Sequence, residues 1–188
     1  MKTNANSVRV GNVVDRDGRL WRVCKTMHTM PGKGGAFVQM ELKDLQSGTK
    51  RNDRFRSSED VEIARLDQKD YQYLYSDGDI LTLMDPVSYE QILVKKELLG
   101  EQDVFLQDGM QVTVESHDGK PLSISLPEHV VLEVVETEAV VKGQTAASSN
   151  KPAVLENGVR IMVPPFIATG NKVIIKTEDS SYVERAKD

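Results

Sequence analysis

The sequence predicts an all-β protein made of three small β-barrel domains. Apolar and polar residues alternate with a period of two through much of the chain, which is the pattern of half-buried strands. Turn dipeptides such as Asp17-Gly18 and Asn157-Gly158 recur at short intervals between these runs, and helical periodicity is scarce. We therefore place the domains at residues 1–65, 66–128 and 129–188.

The first domain contains a predicted hairpin and a basic strand. Asp17-Gly18 separates two apolar runs, as a tight hairpin turn does. In a later strand, Val38, Met40 and Leu42 alternate with polar residues and are expected to share a buried face. Residues 50–56 follow as a polar, basic strand or sheet edge.

The second domain combines strand pairs with a predicted helix. Residues 71–75 and 80–84 flank a turn and predict a strand pair. Asp85-Pro86 predicts the start of a short helix, and Ser88 to Leu99 has the best helical pattern in the chain. A further hairpin at 112–126 completes a unit of about 60 residues, which suits a five-stranded Greek-key barrel.

The third domain returns to short strands with turn residues between them. The apolar run 130–135 leads into a polar loop, Gly143 to Asn150, rich in Ser, Ala and Thr. Residues 159–163, 172–176 and 181–183 then predict further strands.

The single cysteine and the N-terminal residues indicate the cellular compartment in which the protein is expected. Cys24 has no partner for an internal disulfide, which favours a reducing compartment, and its apolar-alternating surroundings predict a buried strand position. The first residues lack the apolar core of a signal peptide, and no apolar run approaches the roughly 20 residues that span a bilayer. We expect a cytoplasmic monomer that does not associate with membranes.

Charge is distributed unevenly along the chain. The formal net charge is −5, which argues against a protein that coats nucleic acid through bulk positive charge. Residues 1–65, however, hold 13 Lys and Arg against 8 Asp and Glu, net +5, whereas residues 66–188 hold 11 against 21, net −10. A basic domain is thus carried on an acidic remainder.

Metal and catalytic motifs are not recognisable in the sequence. One cysteine cannot build a thiolate site. The three histidines are too scattered in the sequence for a metal motif: His28, His117 and His129. No nucleophile-elbow signature accompanies the Ser, His and Asp residues. We predict no metal, no cofactor and no catalytic residue.

The most informative segment lies between two predicted strands and reads Met-Pro-Gly-Lys-Gly-Gly-Ala-Phe, residues 30–37. The residues around the lysine keep the loop slender: Pro31, Gly32, Gly34 and Gly35. Lys33 is then the one residue of the tip with a charged, reactive side chain. Its amine is a compact positive charge suited to phosphate contact and to covalent extension. The segment does not match a nucleotide P-loop, and its spacing alone favours an ordinary flexible loop with a solvated lysine over a functional tip.

Two motifs resemble the elongation factor P family of bacteria. The first is the stretch Pro31 to Phe37, which is similar to the family's domain-one tip. The second is longer and matches the family's third-domain pattern at Lys151-Pro-Ala153, Gly158, the stretch Ile161-Met-Val163-Pro164-Pro-Phe166-Ile167, and Gly170. The resemblance implies one SH3-like (KOW-like) barrel and two OB-fold barrels in an L-shaped, tRNA-like arrangement.

The resemblance also implies partners and site residues. Lys33 would receive a post-translational extension from a modifying enzyme and contact the acceptor end of peptidyl-tRNA on a 70S ribosome stalled at consecutive prolines. A third-domain loop would approach the mRNA codon in the exit site: Gly143, Gln144, Thr145 and Ala146. Family members commonly have Asp where Gln144 stands. Tyr182 and Arg185 resemble a terminal pair that contacts small-subunit rRNA.

Two other functions remain compatible with the residues alone. A general single-stranded RNA-binding OB-fold protein would expose aromatic side chains on its strands, although aromatic content is only 5%. An enzyme that used Lys33 as a nucleophile would require a pocket around the amine, which a glycine-rich loop does not supply.

Overall fold

The computed structural model describes residues 1–141 and 149–187. It confirms the predicted all-β class, with three antiparallel sheets and two 3-10 segments among these residues. By contact density the chain divides into two compact units, Met1–Lys69 with Glu115–Ser123 and Asp70–Val114 with Ile124–Asp188.

The first sheet has six strands in the order β1-β6-β2-β3-β4-β5. Its strands are β1 Lys2–Asn4, β2 Val13–Arg16, β3 Arg19–Thr29, β4 Phe37–Asp44, β5 Lys50–Arg56 and β6 Asp60–Ala64. A 3-10 segment, Ala5–Ser7, follows β1. Val38, Met40 and Leu42 are fully buried, which confirms the predicted inward face of β4. They pack in one core with residues that include Val23 and Phe55.

Cys24 lies in β3 but is half-buried, so the prediction of a buried position was wrong. The β3–β4 register runs from Val23 opposite Leu42 directly to Lys25 opposite Glu41, which leaves Cys24 without a partner. Trp21 and Val23 lie on the buried face of β3, so Cys24, the next residue along the strand, belongs to the opposite face.

The second sheet has five strands in the order β11-β10-β7-β8-β9. They are β7 Asp67–Asp77, β8 Ile80–Met84, β9 Gln91–Lys95, β10 Gln111–His117 and β11 Lys120–Ser125. Their inward side chains form a second core with Leu99: Tyr73, Leu81, Leu83, Val94, Val112, Val114 and Ile124.

The predicted helix over Ser88–Leu99 was wrong. β9 occupies Gln91–Lys95 and pairs with β8, and a 3-10 segment, Lys96–Phe105, follows with a kink at Gly100. Val94 is buried while Leu93 is 70% exposed, so the apolar residues alternate as in a strand. Asp85 closes a hairpin turn instead of beginning a helix, because its Oδ1 accepts the backbone N–H groups of Val87 and Ser88 at 2.8 and 3.3 Å.

The third sheet has five strands in the order β14-β13-β12-β15-β16. They are β12 His129–Thr137, β13 Lys151–Leu155, β14 Arg160–Val163, β15 Lys172–Lys176 and β16 Ser181–Arg185. The predicted strands of this region are therefore confirmed. Its core is formed by side chains such as Leu132, Val134, Leu155, Val163, Val173 and Ile175. Across the described ranges, no helix has the length and apolar character needed to cross a membrane.

A buried carboxylate fixes the turn that ends β4. Asp44 is 1% exposed and accepts the backbone N–H groups of Gln46 and Ser47 at 2.7 and 3.2 Å, while Arg19 Nε lies 2.9 Å from its other oxygen. Burial acts to raise the pKa of Asp44, but the two N–H donors and the Arg19 guanidinium outweigh it, so the pKa lies below its ordinary value.

Asp44→Asn should destabilise the first barrel at neutral pH. Because the pKa of Asp44 is lower in the folded chain than in the unfolded one, its stabilisation is present above the unfolded pKa and is lost as pH falls through the folded pKa. We expect the variant to lose about 1–3 kcal/mol in free energy of unfolding at pH 7, with the gap to wild type narrowing below about pH 4. Urea unfolding measures this, with the exposed Asp60→Asn as control. A gap that stays constant down to pH 2 would contradict the assignment.

Candidate functional site

The long hairpin of β3 and β4 carries residues 30–36 at its end. The last residue pair of the hairpin is Thr29 opposite Phe37, and the loop begins beyond it. Met30 is 85% exposed and Lys33 is exposed. Among the described residues, none forms an ion pair or side-chain hydrogen bond with the Lys33 amine. The structure therefore places the predicted lysine on an outward loop with its charge free.

The glycines of this loop are not there to make room for neighbouring atoms. A Cβ built on Gly32, Gly34 or Gly35 meets nothing within 4 Å. Only Gly34 has a positive φ, +108°, a conformation that other residues avoid. The backbone conformation thus requires glycine at position 34 alone. The absence of side chains at Gly32 and Gly35 keeps the loop narrow.

A groove of about 820 Å³ lies at the base of the loop. Residues 35–37 form one side and residues 54–59 of the β5 end form the other. The Arg54 guanidinium carbon stands 3.6 Å from the centre of the Phe37 ring, a cation–π contact that orients the charge. Arg56 lies opposite Phe37 across the strands and is exposed. Glu59 also lines the groove, and its carboxylate accepts the Arg56 backbone N–H at 3.1 Å.

Arginines elsewhere in the first sheet are neutralised by carboxylates. The pairs, with N···O distances of 2.9–3.0 Å, are Arg16–Asp53, Arg19–Asp44, Arg22–Glu115, Arg51–Asp17 and Arg51–Asp53. Arg54 and Arg56 form no such pair within residues 1–141 and 149–187. The uncompensated arginine charge beside the groove therefore lies on the same side of the barrel as the tip loop.

The sequence prediction did not identify Arg54 and Arg56 individually. It recognised residues 50–56 as basic, but it could not tell which arginines face carboxylates. That distinction depends on the β4–β5 register, which sets Arg54 opposite Gln39 and Asp53 opposite Met40.

The C-terminal pair predicted to contact RNA lies on β16, at the edge of the third sheet. Tyr182 stands opposite Ile175 and packs against the third core, whereas Arg185 is exposed. Burial raises the pKa of the Tyr182 hydroxyl, and the backbone and charge of Arg185 offset this only in part. The tyrosine ring thus contributes to the core, and the arginine is the side chain free to meet a partner.

The remaining predicted site residues lie outside the described residues: Gly143, Gln144, Thr145 and Ala146. The parts of the chain that the structure describes contain no group of three or more His, Cys, Asp or Glu side chains arranged to hold a metal ion.

Three family models match the chain and together cover most of it. They are described as "Elongation factor P (EF-P) KOW-like domain" over residues 4–61, "Elongation factor P (EF-P) OB domain" over residues 66–124 and "Elongation factor P, C-terminal" over residues 130–185.

Full-length relatives agree with these matches. The chain is 59% identical over 186 residues to elongation factor P of Parvibaculum lavamentivorans and 55% identical to that of Zymomonas mobilis, covering 99% of this chain and 100% of each relative. It is 52% identical to elongation factor P of Gluconobacter oxydans, with complete coverage of both chains.

Solved structures show a similar fold over part of the chain. Eukaryotic translation initiation factor 5A from Methanococcus jannaschii superposes with a TM-score of 0.58 at 25% identity, covering 67% of this chain and 92% of that one. A translation initiation factor eif-5a family protein from Naegleria fowleri gives a TM-score of 0.50 at 18% identity, with coverage of 67% and 98%, and supports the fold alone.

Two substitutions should distinguish the contribution of the Tyr182 ring to stability from that of its hydroxyl. Tyr182→Ala removes half-buried core contacts and should lower the free energy of unfolding by about 1–3 kcal/mol, whereas Tyr182→Phe should be near neutral at pH 7. Because the folded pKa of Tyr182 is raised, its contribution is intact below the unfolded pKa and is lost as pH rises through the folded pKa. Wild type should therefore lose stability relative to Tyr182→Phe above about pH 10, as measured by urea unfolding. Parallel pH profiles would show that the hydroxyl is not desolvated.

Proposed function

The chain belongs to the elongation factor P family, and from that premise we propose that it binds the ribosome near the peptidyl and exit sites, stabilises peptidyl-tRNA and promotes peptide-bond formation at consecutive prolines. Family membership makes it a translation elongation factor and not an enzyme. The observation that carries the finer proposal is the free Lys33 amine at the end of a narrow loop.

The loop suits a site that a bulkier protein segment could not enter. Neither close packing nor a positive φ requires glycine at positions 32 and 35. The missing side chains instead keep the loop narrow, which suits entry into a confined binding site. An unpaired amine on a four-carbon stem is a compact charge for RNA phosphates and an accessible site for a modifying enzyme. Lys33 would carry the covalent extension and meet the acceptor end of the tRNA.

The groove beside the loop supports contact with RNA. Two exposed arginines without carboxylate partners among the described residues offer bidentate donors for phosphate oxygens, and a guanidinium stacked on a ring is held in a fixed orientation. The acidic remainder of the chain, net −10, limits nonspecific attraction to RNA. Binding would thus concentrate on the tip side of the first barrel.

Holding peptidyl-tRNA in place is a sufficient source of acceleration. Proline has a fixed φ and a secondary amine, which make it an awkward reactant. Orienting two reactants recovers part of a barrier, and a tenfold gain in rate requires only about 1.4 kcal/mol. The factor would act by positioning alone, with the third domain near the exit-site codon and Arg185 near small-subunit rRNA.

The two alternative functions fit the geometry less well. A general single-stranded RNA binder needs aromatic side chains in a row on neighbouring strands, yet the large exposed aromatics of the described residues are dispersed: Tyr75 on β7, Tyr89 in a turn and Phe166 after β14. A nucleophilic lysine needs a desolvating pocket, and the Lys33 side chain stands in solvent.

Lys33→Ala should separate function from folding. The side chain is exposed and forms no hydrogen bond or ion pair within residues 1–141 and 149–187, so urea and thermal unfolding should match wild type. Synthesis through consecutive prolines in a reconstituted translation system should fall to the rate without factor. Lys25→Ala, which removes the same charge from an exposed position on the same hairpin, is the matched control and should keep activity. Full acceleration by Lys33→Ala would refute the assigned role.

Arg54→Ala combined with Arg56→Ala should weaken binding more than it slows the reaction. We expect the factor concentration for half-maximal acceleration to rise several-fold, and the salt dependence of binding to ribosomes to lose about one unit of slope for each phosphate contact removed. Lys50→Ala, at the other end of β5 and paired with Glu41, is the control. An unchanged salt slope in the double variant would show that the groove does not hold phosphates.

A further inference from the structure

The 3-10 segment that follows β9 contributes a ring to the core of the third sheet. Phe105 is the last residue of this segment, Lys96–Phe105, and its side chain is 2% exposed. It belongs to the buried cluster of the third sheet, whose other buried members lie between Val130 and Ile175. The next residue, Leu106, packs against the core of the second sheet instead. Two neighbouring side chains thus enter two different cores.

Two further side chains make these cores continuous. Met110 and Leu126 are partly buried, and each packs against both clusters. The Met110 carbonyl also accepts the backbone N–H of Tyr73, a member of the second core, at 2.8 Å. Domains that share only a small, polar interface move relative to one another. A shared apolar core opposes such motion, because separation would expose it to water.

Hydrogen bonds fasten the third sheet to the segments that flank the shared core. Asn157 Nδ2, in the turn between β13 and β14, donates to the Val104 carbonyl at 2.9 Å. Thr177 follows β15 and is 4% exposed. Its hydroxyl donates to the Pro127 carbonyl at 2.7 Å, and its backbone N–H donates to the Glu128 carbonyl at 2.9 Å. These bonds hold both the 3-10 segment and the connection from β11 to β12 against the third sheet.

We propose that Phe105 is a positioning residue that joins the second and third sheets into one cooperative unit, so that ribosome contacts made by the third sheet also hold the second in place. The ribosome as ligand rests on the proposed function, whereas the cooperative unit does not. Two bodies joined in advance lose their freedom of movement once when they bind, whereas two bodies on a free linker lose it separately. Phe105 therefore improves binding without contacting the partner.

The proposal predicts an effect that an ordinary core truncation does not produce. Removing a side chain from within one cooperative unit lowers the free energy of opening equally throughout that unit. Removing the side chain that joins two halves lets one half open without the other. Phe105→Ala should therefore separate the opening of the third sheet from that of the second. Ile161→Ala, a truncation on β14 in the same core, is the matched control and should destabilise both sheets together.

Two further variants of the full-length chain make the test specific. Phe105→Leu keeps an apolar side chain between the cores and should restore coupled opening. Asn157→Asp removes the donor to Val104 but keeps the oxygen that accepts the Val159 N–H at 3.2 Å. It weakens the connection between the sheets without emptying the core, and it takes the place of Phe105→Ala if that variant does not fold.

Hydrogen exchange on the free protein, followed over a series of low urea concentrations, measures the opening. In wild type the slowest amides of β8 and β12 should converge on one opening equilibrium as the urea concentration rises. In Phe105→Ala the opening constant of β12 should exceed that of β8 by at least about tenfold. In Phe105→Leu the two constants should agree within about threefold.

Reconstituted translation through consecutive prolines measures the positioning role, under conditions in which urea unfolding shows each variant to be folded. For Phe105→Ala the half-maximal factor concentration should rise by about tenfold at an unchanged maximal rate. For Ile161→Ala it should stay within about twofold of wild type. A role confined to stability would move neither quantity under these conditions.

A common opening of β8 and β12 in Phe105→Ala, or in Asn157→Asp where it takes its place, would overturn the cooperative unit, as would separate openings in wild type. Separate opening with an unchanged half-maximal concentration would overturn the positioning role. Failure of the wild-type chain to accelerate the reaction would instead count against the proposed function. The exchange measurement requires no ribosome, so the two failures are distinguishable.

Discussion

The reach of the tip loop depends on one constraint, the long antiparallel pairing of β3 with β4. An isolated two-stranded hairpin is marginally stable in water, and a loop at its end would have no fixed position. Here the inward residues Val38, Met40 and Leu42 are fully buried in the barrel core, each worth roughly 1.5–3 kcal/mol of burial free energy. The buried core fixes the positions of β3 and β4, and the pairing of these strands keeps Thr29 opposite Phe37. The loop beyond that pair is therefore positioned without packing contacts of its own.

The same strands set the distribution of charge. On one part of the first sheet, Arg51 and Arg16 share the carboxylate of Asp53, and their guanidinium groups also lie over Trp21 and Phe55. These two arginines stabilise the fold, because their guanidinium groups are already engaged in ion pairs and cation–π contacts. Arg54 stacks on Phe37 but keeps its charge unpaired within the described parts of the chain. A basic strand thus separates into arginines that stabilise the barrel and arginines that can meet an anion.

Periodicity predicted the sheets because each sheet buries one face of its strands, but it failed at particular residues. Cys24 follows the buried Val23 and lies on the opposite face of β3, so its apolar neighbours indicated the wrong burial. The segment after Asp85 has a helix-like pattern, yet Asp85 closes a hairpin turn and Tyr89 takes a positive φ of 61°, which directs the chain back along β8. β1 is a three-residue polar edge strand, Lys2–Asn4, and carries no apolar signal at all. The exposed tip was predictable from composition alone, whereas the unpaired state of Arg54 required the strand register, which no single segment encodes.

Lys33 and Lys151 show how far environment decides what one residue type does. Lys33 stands beyond the last strand pair, exposed and with no partner for its amine among the described residues, so its charge is accessible from solvent. Lys151 is buried at the start of β13, and its amine donates a hydrogen bond to the Glu138 carbonyl. Replacing Lys33 would remove an exposed amine and leave the strand pairing of the first sheet as it was. Replacing Lys151 removes a buried amine and its hydrogen bond to the Glu138 carbonyl, so the cost falls on the third sheet itself.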